Sequence, residues 1–316
     1  MKTVLVTGPT ATGKTALGIA LCRQFGGELI SADSRQVYRG LDLGTGKDLE
    51  DYSRGGPPVR HHLIDIADPD QEYHLFKFVE DAQAALTEIR RRGMLPVVVG
   101  GTPLYLNALL EGYRLEGGGA DPALRAELES WDTERLLTTL RQESPAYYER
   151  TDRENRRRLI RALEIVRTTG PEPPSPHPPL EALTLAPYFD RQTVHRRIEE
   201  RLDARLAQGL VAEVARLHAA GLSWERLEWF GLEYRFVARH LRGELPAAEM
   251  RRLLLQAIRQ FCKRQDIWFR KMEREGKTIH WLPGGDPREA GALVAAYLAG
   301  RPLPPPRLQL KDIRYG

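Results

Sequence analysis

The sequence predicts an α/β fold in which a parallel β-sheet forms the core and a lobe of helices is inserted. Apolar runs of strand length alternate with helix-periodic segments over the first hundred residues, as in doubly wound α/β domains. The first apolar run leads directly into a motif of the form G-x-x-x-x-G-K-[ST], and a helix-like segment follows it. A strand, a phosphate-binding loop and a helix in this order predict a P-loop NTPase-like core.

The next core elements follow from periodicity and turn residues. A second strand is predicted at 28–32 and ends at Asp33, and a short strand is predicted at 61–66 after a Gly-Pro turn. Residues 73–92 have helical spacing and end in basic residues. A fully apolar strand at 97–99 then stops at a pair of glycines. These elements give the strand and helix alternation that a sheet core requires.

The sequence pattern changes after residue 112. Residues 113–168 are predicted to be mostly helical, without strands. The proline-rich segment 171–179 is predicted to be a loop, because proline fits neither a helix interior nor a central strand. Two more core strands are predicted at 183–186 and 278–282.

Long amphipathic helices are predicted at 191–217 and 246–270, with interruptions at glycines. We therefore predict a division of the chain into a core, an inserted helical lobe and a tail that we expect to be disordered. The core comprises 1–189 and 256–300, the insertion 190–255, and the tail 301–316.

Composition limits the classes of protein that need consideration. With 316 residues, 41% hydrophobic, the chain can bury a full core. Cys22 and Cys262 lie far apart and have no metal-ligand spacing, so we expect neither a disulfide framework nor a zinc site. The chain begins directly with its first strand, and no apolar run approaches the ~18 residues of a spanning helix. We therefore expect a cytoplasmic protein without membrane insertion.

Charge is informative through its distribution and not through its sum. The net charge is only +4, yet basic residues cluster at 153–158, 191–205, 235–242 and 259–271. The last cluster also contains aromatic side chains, a combination that suits phosphates and unstacked bases. For each cluster, a solvated helix face balanced by acidic residues is an equal alternative.

The glycine-rich loop predicts a phosphate site. Backbone N–H groups at the start of a helix attract anions, Lys14 can neutralise phosphate charge, and the Thr15 hydroxyl can ligate magnesium. A purely structural glycine turn is the alternative, but the spacing, the Lys-Thr ending and the setting all favour phosphate binding. The residues of this predicted phosphate site are Gly8, Pro9, Thr10, Ala11, Thr12, Gly13, Lys14 and Thr15.

The edge of the sheet beside this loop indicates what the site does not do. The strand at 97–99 continues into Gly100-Gly101-Thr102 without an Asp or Glu, so the acid that usually supports nucleotide hydrolysis is missing there. The edge offers instead one carboxylate, Asp33, and one hydroxyl, Thr102. Since parallel strands end at the same edge, we expect both side chains beside the phosphate loop.

A resemblance to a known family runs over nearly the whole chain. Besides the phosphate loop, it rests on ADSRQVYRGLDLGTGK at 32–47, HHLIDI at 61–66, GGTPLYL at 100–106, RLIRALE at 158–164, KRQ at 263–265 and WFR at 268–270. In order and content these segments resemble the bacterial tRNA dimethylallyltransferases, the IPP transferase family. Together they are far more specific than the phosphate loop alone.

The resemblance implies a magnesium-dependent transfer of a dimethylallyl group. The donor is dimethylallyl diphosphate, and the acceptor is the exocyclic N6 amine of the adenosine 3′-adjacent to the anticodon. An adenine amine is a weak nucleophile, so a carboxylate that accepts its proton is expected, and Asp33 has both the position and the resemblance for this role. The implied partners are the tRNA anticodon stem-loop and the donor, and we expect a monomer.

The resemblance also implies roles for individual residues. Asp33, Thr102 and Lys14 are the implied catalytic residues, and Arg197 and Arg201 are implied to join the phosphate loop in binding diphosphate. Thr102 could instead be a helix N-cap, Asp33 a turn cap, and the two arginines surface ion pairs. The implied tRNA-binding residues are Asp33, Ser34, Arg35, Gln36, Thr102, Arg125, Arg157, Arg158, Arg161, Lys263, Arg264, Gln265, Trp268 and Arg270.

Three other functions remain open at this point. An adenylate isopentenyltransferase would use the same donor with a free nucleotide, which needs no long basic helical surface. A small-molecule P-loop kinase would place ATP in the loop, against which the absent acid argues. A non-enzymatic RNA-binding module would bind tRNA in a salt-dependent manner but release no pyrophosphate.

Overall fold

The computed structural model describes residues 2–113, 121–173 and 177–313, and its strands form a single parallel sheet. The strands are β1 (Thr3–Val6), β2 (Gly27–Ser31), β3 (His61–His62), β4 (Leu95–Val99), β5 (Ala182–Tyr188) and β6 (His280–Pro283). Their order across the sheet is β3-β2-β4-β1-β5-β6. The predicted α/β fold with a parallel sheet is confirmed.

Helices surround this sheet and also extend beyond it. They are α1 (Lys14–Phe25), α2 (Leu75–Arg91), α3 (Pro103–Leu110), α4 (Pro122–Ser130), α5 (Thr133–Glu143), α6 (Pro145–Arg150), α7 (Arg156–Thr169), α8 (Arg191–Gln208), α9 (Leu210–Ala219), α10 (Trp224–Trp229), α11 (Leu232–Leu241), α12 (Ala247–Arg274) and α13 (Pro287–Leu298). Short 3₁₀ turns are formed by Leu49–Tyr52 and Leu310–Asp312. Within the described residues, no helix combines the length and apolar character needed to cross a membrane.

Both faces of the sheet are buried, which explains the continuous apolar runs of its strands. Leu5, in the middle of β1, packs into one hydrophobic cluster, whereas its neighbours Val4 and Val6 pack into another on the opposite face. The strands end in register at one edge, because Val99 of β4 pairs with both Val6 of β1 and Ser31 of β2. The residues that follow these three strands therefore meet at one place.

The segment between α3 and β5 forms a separate helical unit. Helices α4 to α7 pack around their own hydrophobic cluster, which includes Leu128, Leu136, Leu140 and Leu159. Predicted as mostly helical, 113–168 contains these four helices, with 114–120 outside the described residues. The predicted loop 171–179 has neither helix nor strand at its described residues, 171–173 and 177–179.

Helices α8 to α12 pack differently, since they share a hydrophobic cluster with the sheet. Ile198 of α8, Val237 of α11 and Leu254 of α12 belong to the same cluster as Leu5 of β1. Helix α12 runs without interruption through the predicted boundary at 255/256. The predicted domain boundaries stay a prediction, although the packing places the most separate apolar core in α4 to α7.

Two expectations from the sequence were wrong. The strand predicted at 61–66 is only two residues long, because Leu63 and Asp65 adopt left-handed backbone conformations (φ 61° and 56°) that interrupt pairing. The tail is ordered where the structure describes it: Leu310 is 1% exposed, and the backbone N–H of Lys311 donates to a carboxylate oxygen of Glu273 at 2.7 Å. An apolar anchor and a hydrogen bond to α12 therefore outweigh the proline-rich composition.

Candidate active site

The phosphate loop connects β1 to α1 in a conformation that turns its amides inward. Gly8, Ala11 and Gly13 have positive φ angles of 129°, 62° and 84°. The side chains of Thr12 and Lys14 donate hydrogen bonds to the carbonyl oxygen of Pro9 at 2.8 and 2.6 Å. Within the described residues, the backbone N–H groups of 11–15 donate no hydrogen bond to the protein. Free amides at a helix start form an anion-binding concavity.

Two half-buried cations face this loop. A terminal nitrogen of Arg201, on α8, donates to the hydroxyl oxygen of Thr10 at 2.6 Å. Burial, followed by repulsion from Arg201, lowers the pKa of Lys14 to about 8. Burial, followed by repulsion from Arg205, lowers the pKa of Arg201 to about 10. Cations that are destabilised in this way have a strong tendency to bind an anion of several negative charges.

The Asp33 carboxylate follows β2 at the same edge of the sheet. One of its oxygens accepts a hydrogen bond from the backbone N–H of Arg35 at 2.8 Å, so Asp33 also caps the turn that follows it. Its other oxygen has no hydrogen-bond partner among the described residues. Asp33 lies close enough to Lys14 and Arg201 to raise the pKa of both. The predicted acid and the predicted cations therefore share one site.

Thr102 lies at the N-cap of α3, but its side chain makes no capping hydrogen bond. Its hydroxyl oxygen instead faces the backbone N–H of Ser34 at 3.4 Å, which links the ends of β4 and β2. The approach of these strands depends on Gly100, because a Cβ atom there would lie 2.3 Å from the carbonyl oxygen of Ala32. Thr102 is thus directed to the site and not to its own helix.

The turn after Asp33 contains three of the predicted tRNA-binding residues, including Ser34. The Arg35 guanidinium lies 4.1 Å from the centre of the Trp229 ring, and burial lowers the pKa of Arg35. The Gln36 side chain is occupied within the protein, since it donates to the carbonyl oxygen of Gly46 at 3.0 Å. The sequence analysis did not identify Trp229 as a site residue, because only the folding of the chain brings it against Arg35.

The predicted tRNA contacts of the helical unit cluster on α4 and α7. Glu164, whose side chain is 1% exposed, forms ion pairs with Arg125 at 3.4 Å and Arg161 at 3.2 Å. Arg157 is exposed, and Arg158 forms a partly exposed ion pair with Asp152 at 3.2 Å. Within the described residues, no hydrogen bond or ion pair joins Arg125, Arg157 or Arg158 to the phosphate loop.

The predicted contacts on α12 do not share one environment. Lys263 and Arg264 are exposed, whereas Trp268 packs partly buried beside the tail. A terminal nitrogen of Arg270 donates to the carbonyl oxygen of Ile313 at 2.8 Å. Gln265, which the resemblance implied to be an RNA contact, is instead buried and faces the phosphate loop. The helix therefore has an exposed basic face and an inner face toward the site.

A cavity of about 230 Å³ borders the phosphate loop on the side of α8 and α12. Arg197, next to this region, stacks on Phe189 with its guanidinium 3.8 Å from the ring centre. Burial, followed by the charges of two arginines, lowers the pKa of His195 in the cavity wall. The lining includes Pro9, Thr12, Tyr188, Phe189, Arg191, His195, Arg259, Cys262, Lys263 and Trp281.

Two protein-family models match the chain. The model described as IPP transferase matches residues 36–272, and the model described as isopentenyl transferase matches residues 1–56. The tRNA dimethylallyltransferase 1 of Geotalea uraniireducens (strain Rf4) is 47% identical over 285 residues, which cover 90% of this chain and 93% of that protein. The tRNA dimethylallyltransferase 2 of Syntrophotalea carbinolica is 48% identical over 291 residues, with coverage of 90% and 95%.

Solved structures give the same result for the fold. A full-length tRNA isopentenylpyrophosphate transferase from Bacillus halodurans is 33% identical, with a TM-score of 0.68 and coverage of 95% of this chain and 96% of that one. A eukaryotic dimethylallyltransferase acting on tRNA is 26% identical, with a TM-score of 0.79 and coverage of 96% and 80%. The similarity therefore extends over the sheet core and the helices alike.

Proposed function

Because this chain belongs to the IPP transferase family and is a tRNA-prenylating enzyme, we propose that its donor is dimethylallyl diphosphate and its acceptor a single adenosine amine. The acceptor is the N6 amine of the adenosine on the 3′ side of the anticodon. The observation that carries the proposal is the meeting of Lys14, Arg201 and Asp33 at one sheet edge. Cations suited to a leaving diphosphate and a base suited to an amine lie together there.

The phosphate loop is suited to the donor's diphosphate. Its free amides from 11–15 and the cations of Lys14 and Arg201 can accept the negative charge that grows on the leaving group. Arg197, stacked on Phe189, is proposed as a further diphosphate contact from the same helix as Arg201. Because this clamp is built before the donor arrives, little reorganisation is needed during the reaction.

Asp33 is proposed to accept the proton of the amine. The adenine nitrogen forms a bond to the terminal allylic carbon, the bond from that carbon to the diphosphate oxygen breaks, and diphosphate leaves with the electron pair. A proton of the amine passes to the carboxylate oxygen of Asp33 that is not bonded to Arg35. Thr102, directed to the same edge, would orient the amine. Entry of the base into this pocket requires its removal from the anticodon stack.

The residues present fit a magnesium ion that is bound mainly through the diphosphate. Within the described residues, no group of three or more His, Cys, Asp or Glu could hold a metal by itself. The half-buried Thr15 hydroxyl at the start of α1 is suitable as one ligand, and Mg²⁺ commonly takes its others from phosphate oxygens and water. A bound ion would supply charge neutralisation to the diphosphate.

The proposed tRNA surface consists of residues on three elements. The turn after β2 contributes the half-buried Ser34 and Arg35. Helix α7 contributes the exposed Arg157 and Arg158, and α12 contributes the exposed Lys263 and Arg264. Guanidinium and ammonium groups on such a surface bind RNA phosphates without reading sequence. We further propose that the enzyme acts as a monomer in the cytoplasm.

A free nucleotide acceptor is not favoured. The isopentenyl transferase model covers only residues 1–56, which contain the phosphate loop and Asp33, whereas the helices that a nucleotide does not need match the IPP transferase model. A test of the proposal is to incubate the protein with labelled dimethylallyl diphosphate, magnesium and either an unmodified anticodon stem-loop or AMP. We expect labelled N6-prenyladenosine only from the stem-loop; label on AMP alone would contradict the proposal.

A further inference from the structure

Gln265 connects the phosphate loop to the turn that carries Thr102. Its side chain, 4% exposed, extends from the inner face of α12. The carbonyl oxygen of the side chain accepts a hydrogen bond from the backbone N–H of Thr10 at 2.9 Å. The amide nitrogen donates to the carbonyl oxygen of Gly101 at 2.8 Å. One neutral side chain thus binds the two loops that contribute the diphosphate site and Thr102.

The hydrogen bond to Thr10 removes this amide from the set that can bind phosphate. The amides of 11–15 remain available, while Thr10 is fixed from two directions, by Gln265 at its backbone and by Arg201 at its hydroxyl. Thr10 of the phosphate loop is therefore held by both α12 and α8. A loop held in this way presents its free amides in one orientation before the donor binds.

The space around Gln265 is as restrictive as its hydrogen bonds. A Cβ atom on Gly101 would lie 3.0 Å from the Gln265 amide nitrogen and 3.4 Å from both the Gly8 carbonyl oxygen and the Lys14 Cε atom. The phosphate loop, the Gly101 turn and α12 therefore meet so closely that a side chain at 101 would press on the Gln265 amide. The two hydrogen bonds of Gln265 set the separation at this junction.

The neighbouring residues on α12 show how unusual this placement is. Lys263 and Arg264 are exposed, and Ile267 is 58% exposed, whereas Gln265 between them is directed inward. A contact between this buried side chain and RNA would need both of its hydrogen bonds to break. The role that remains is inside the protein.

We propose that Gln265 is a positioning residue for the transfer reaction, which fixes the phosphate loop relative to the turn that carries Thr102. This inference rests on the proposed function of the phosphate loop as a diphosphate site. Loss of Gln265 weakens diphosphate binding and misplaces Thr102, and it leaves the affinity for tRNA unchanged. A direct RNA contact by Gln265 would have the opposite effect on the two ligands.

The test compares Gln265→Leu with Gln265→Glu. Leucine has a similar size but makes neither hydrogen bond; glutamate keeps the acceptor for Thr10 and places an oxygen against the Gly101 carbonyl. We expect the Kd of inorganic pyrophosphate with magnesium, measured by calorimetry, to rise about tenfold in Gln265→Leu and more in Gln265→Glu. The Kd of the unmodified anticodon stem-loop should stay within about twofold of the original value.

The exposed neighbour supplies the matched comparison. Arg264→Leu should weaken stem-loop binding and leave pyrophosphate binding unchanged, the reverse pattern. Melting temperatures of all variants identify any variant that fails to fold. If one of the two Gln265 variants does not fold, the other is sufficient to test the proposal. Unchanged pyrophosphate binding in a folded glutamine variant, or a larger loss for the stem-loop, would overturn the inference. If the original protein binds no pyrophosphate, the proposed function fails instead.

Discussion

The Arg201 guanidinium hydrogen-bonds the Thr10 hydroxyl at 2.6 Å, although the two residues lie 191 positions apart in the sequence. The bond brings a half-buried cation from α8 to the phosphate loop, where Lys14 already lies. Burial and the charge of Arg201 lower the pKa of Lys14, while burial and the charge of Arg205 lower the pKa of Arg201. A bound diphosphate removes this repulsion, so the free site is prepared for an anion.

Substitution of Arg201 by methionine should weaken donor binding. Hydrogen bonds to charged groups contribute about 1.5–3 kcal/mol, so we expect the KM for dimethylallyl diphosphate to rise about 10- to 100-fold. The matched control is Arg196→Met, because Arg196 is exposed on the same helix and pairs only weakly with Glu200 at 3.8 Å. Steady-state kinetics at saturating stem-loop measure both. An equal change in the two variants would contradict the proposed role.

Donor affinity should depend on pH through Lys14. With a pKa lowered to about 8, chiefly by burial and then by Arg201, Lys14 is charged below pH 8 and neutral above it. Affinity for dimethylallyl diphosphate, already fully ionised above about pH 7, should therefore be greatest below pH 8 and fall as the pH rises. In Arg201→Met the midpoint should move to higher pH, because one cause of the lowered pKa is gone. Calorimetric titrations across this range measure the midpoint.

Removal of the charge at Asp33 should reduce catalysis far more than tRNA binding. Asp33→Asn keeps an oxygen that can accept the hydrogen bond from Arg35, but it cannot take the amine proton. We expect kcat to fall about 10²- to 10⁴-fold, the usual effect of a lost general base, with stem-loop affinity changed only a few-fold. Single-turnover kinetics and binding assays separate these effects. The exposed Asp70→Asn serves as the control, and equal losses in rate and affinity would rule out the base assignment.

The separate helical unit should contribute to RNA affinity through charge. Replacement of both Arg157 and Arg158 by alanine should weaken stem-loop binding at low salt. It should also decrease the slope of log affinity against log salt concentration by about 0.7 to 0.9 for each RNA phosphate that the protein no longer neutralises. Arg91→Ala removes an exposed charge at the end of α2 and should have no effect. An unchanged salt slope in the double variant would show that RNA does not reach this unit.

Glu213 should be important for stability. Its buried carboxylate accepts hydrogen bonds from the backbone N–H groups of Asp42, Leu43 and Gly44 and from the Tyr234 hydroxyl. Glu213→Gln leaves one acceptor oxygen in place of two and introduces a donor that faces other donors. We expect a loss of about 1–3 kcal/mol in the free energy of unfolding. Tyr234→Phe should cost about 1 kcal/mol, since it removes only one partner; denaturant titrations compare the two.

The sequence was sufficient for the features that depend on local pattern. The phosphate loop, its strand and its helix are contiguous, so their residues identify them directly. The parallel order of the strands also follows, and with it the meeting of Asp33 and Thr102 at one edge. The length of the strand at 61–66 was harder to predict, because the apolar residues of this segment favour a strand. The left-handed backbone of Leu63 and Asp65 ends it after two residues.

Contacts between distant segments could not be read from the sequence. Gln265 belongs to a basic and aromatic run that resembles an RNA contact, and only the packing of α12 turns it toward Thr10, 255 residues away. The pairing of Arg35 with Trp229 and the buried anchor at Leu310 have the same cause. In each case tertiary packing determines which face of an element is buried. A local sequence pattern does not show this packing.

Gly100 determines how closely the ends of β2 and β4 approach each other, although it supplies no functional group to the site. The Ala32 carbonyl would lie 2.3 Å from any methyl group at position 100, far inside the contact distance of carbon and oxygen. Even alanine would therefore drive apart the two strand ends from which the acid and the threonine extend. A displacement of about 1 Å can slow a reaction about a hundredfold. The absence of a side chain at Gly100 therefore permits the close approach of the two strand ends, and with it the spacing between Asp33 and Thr102.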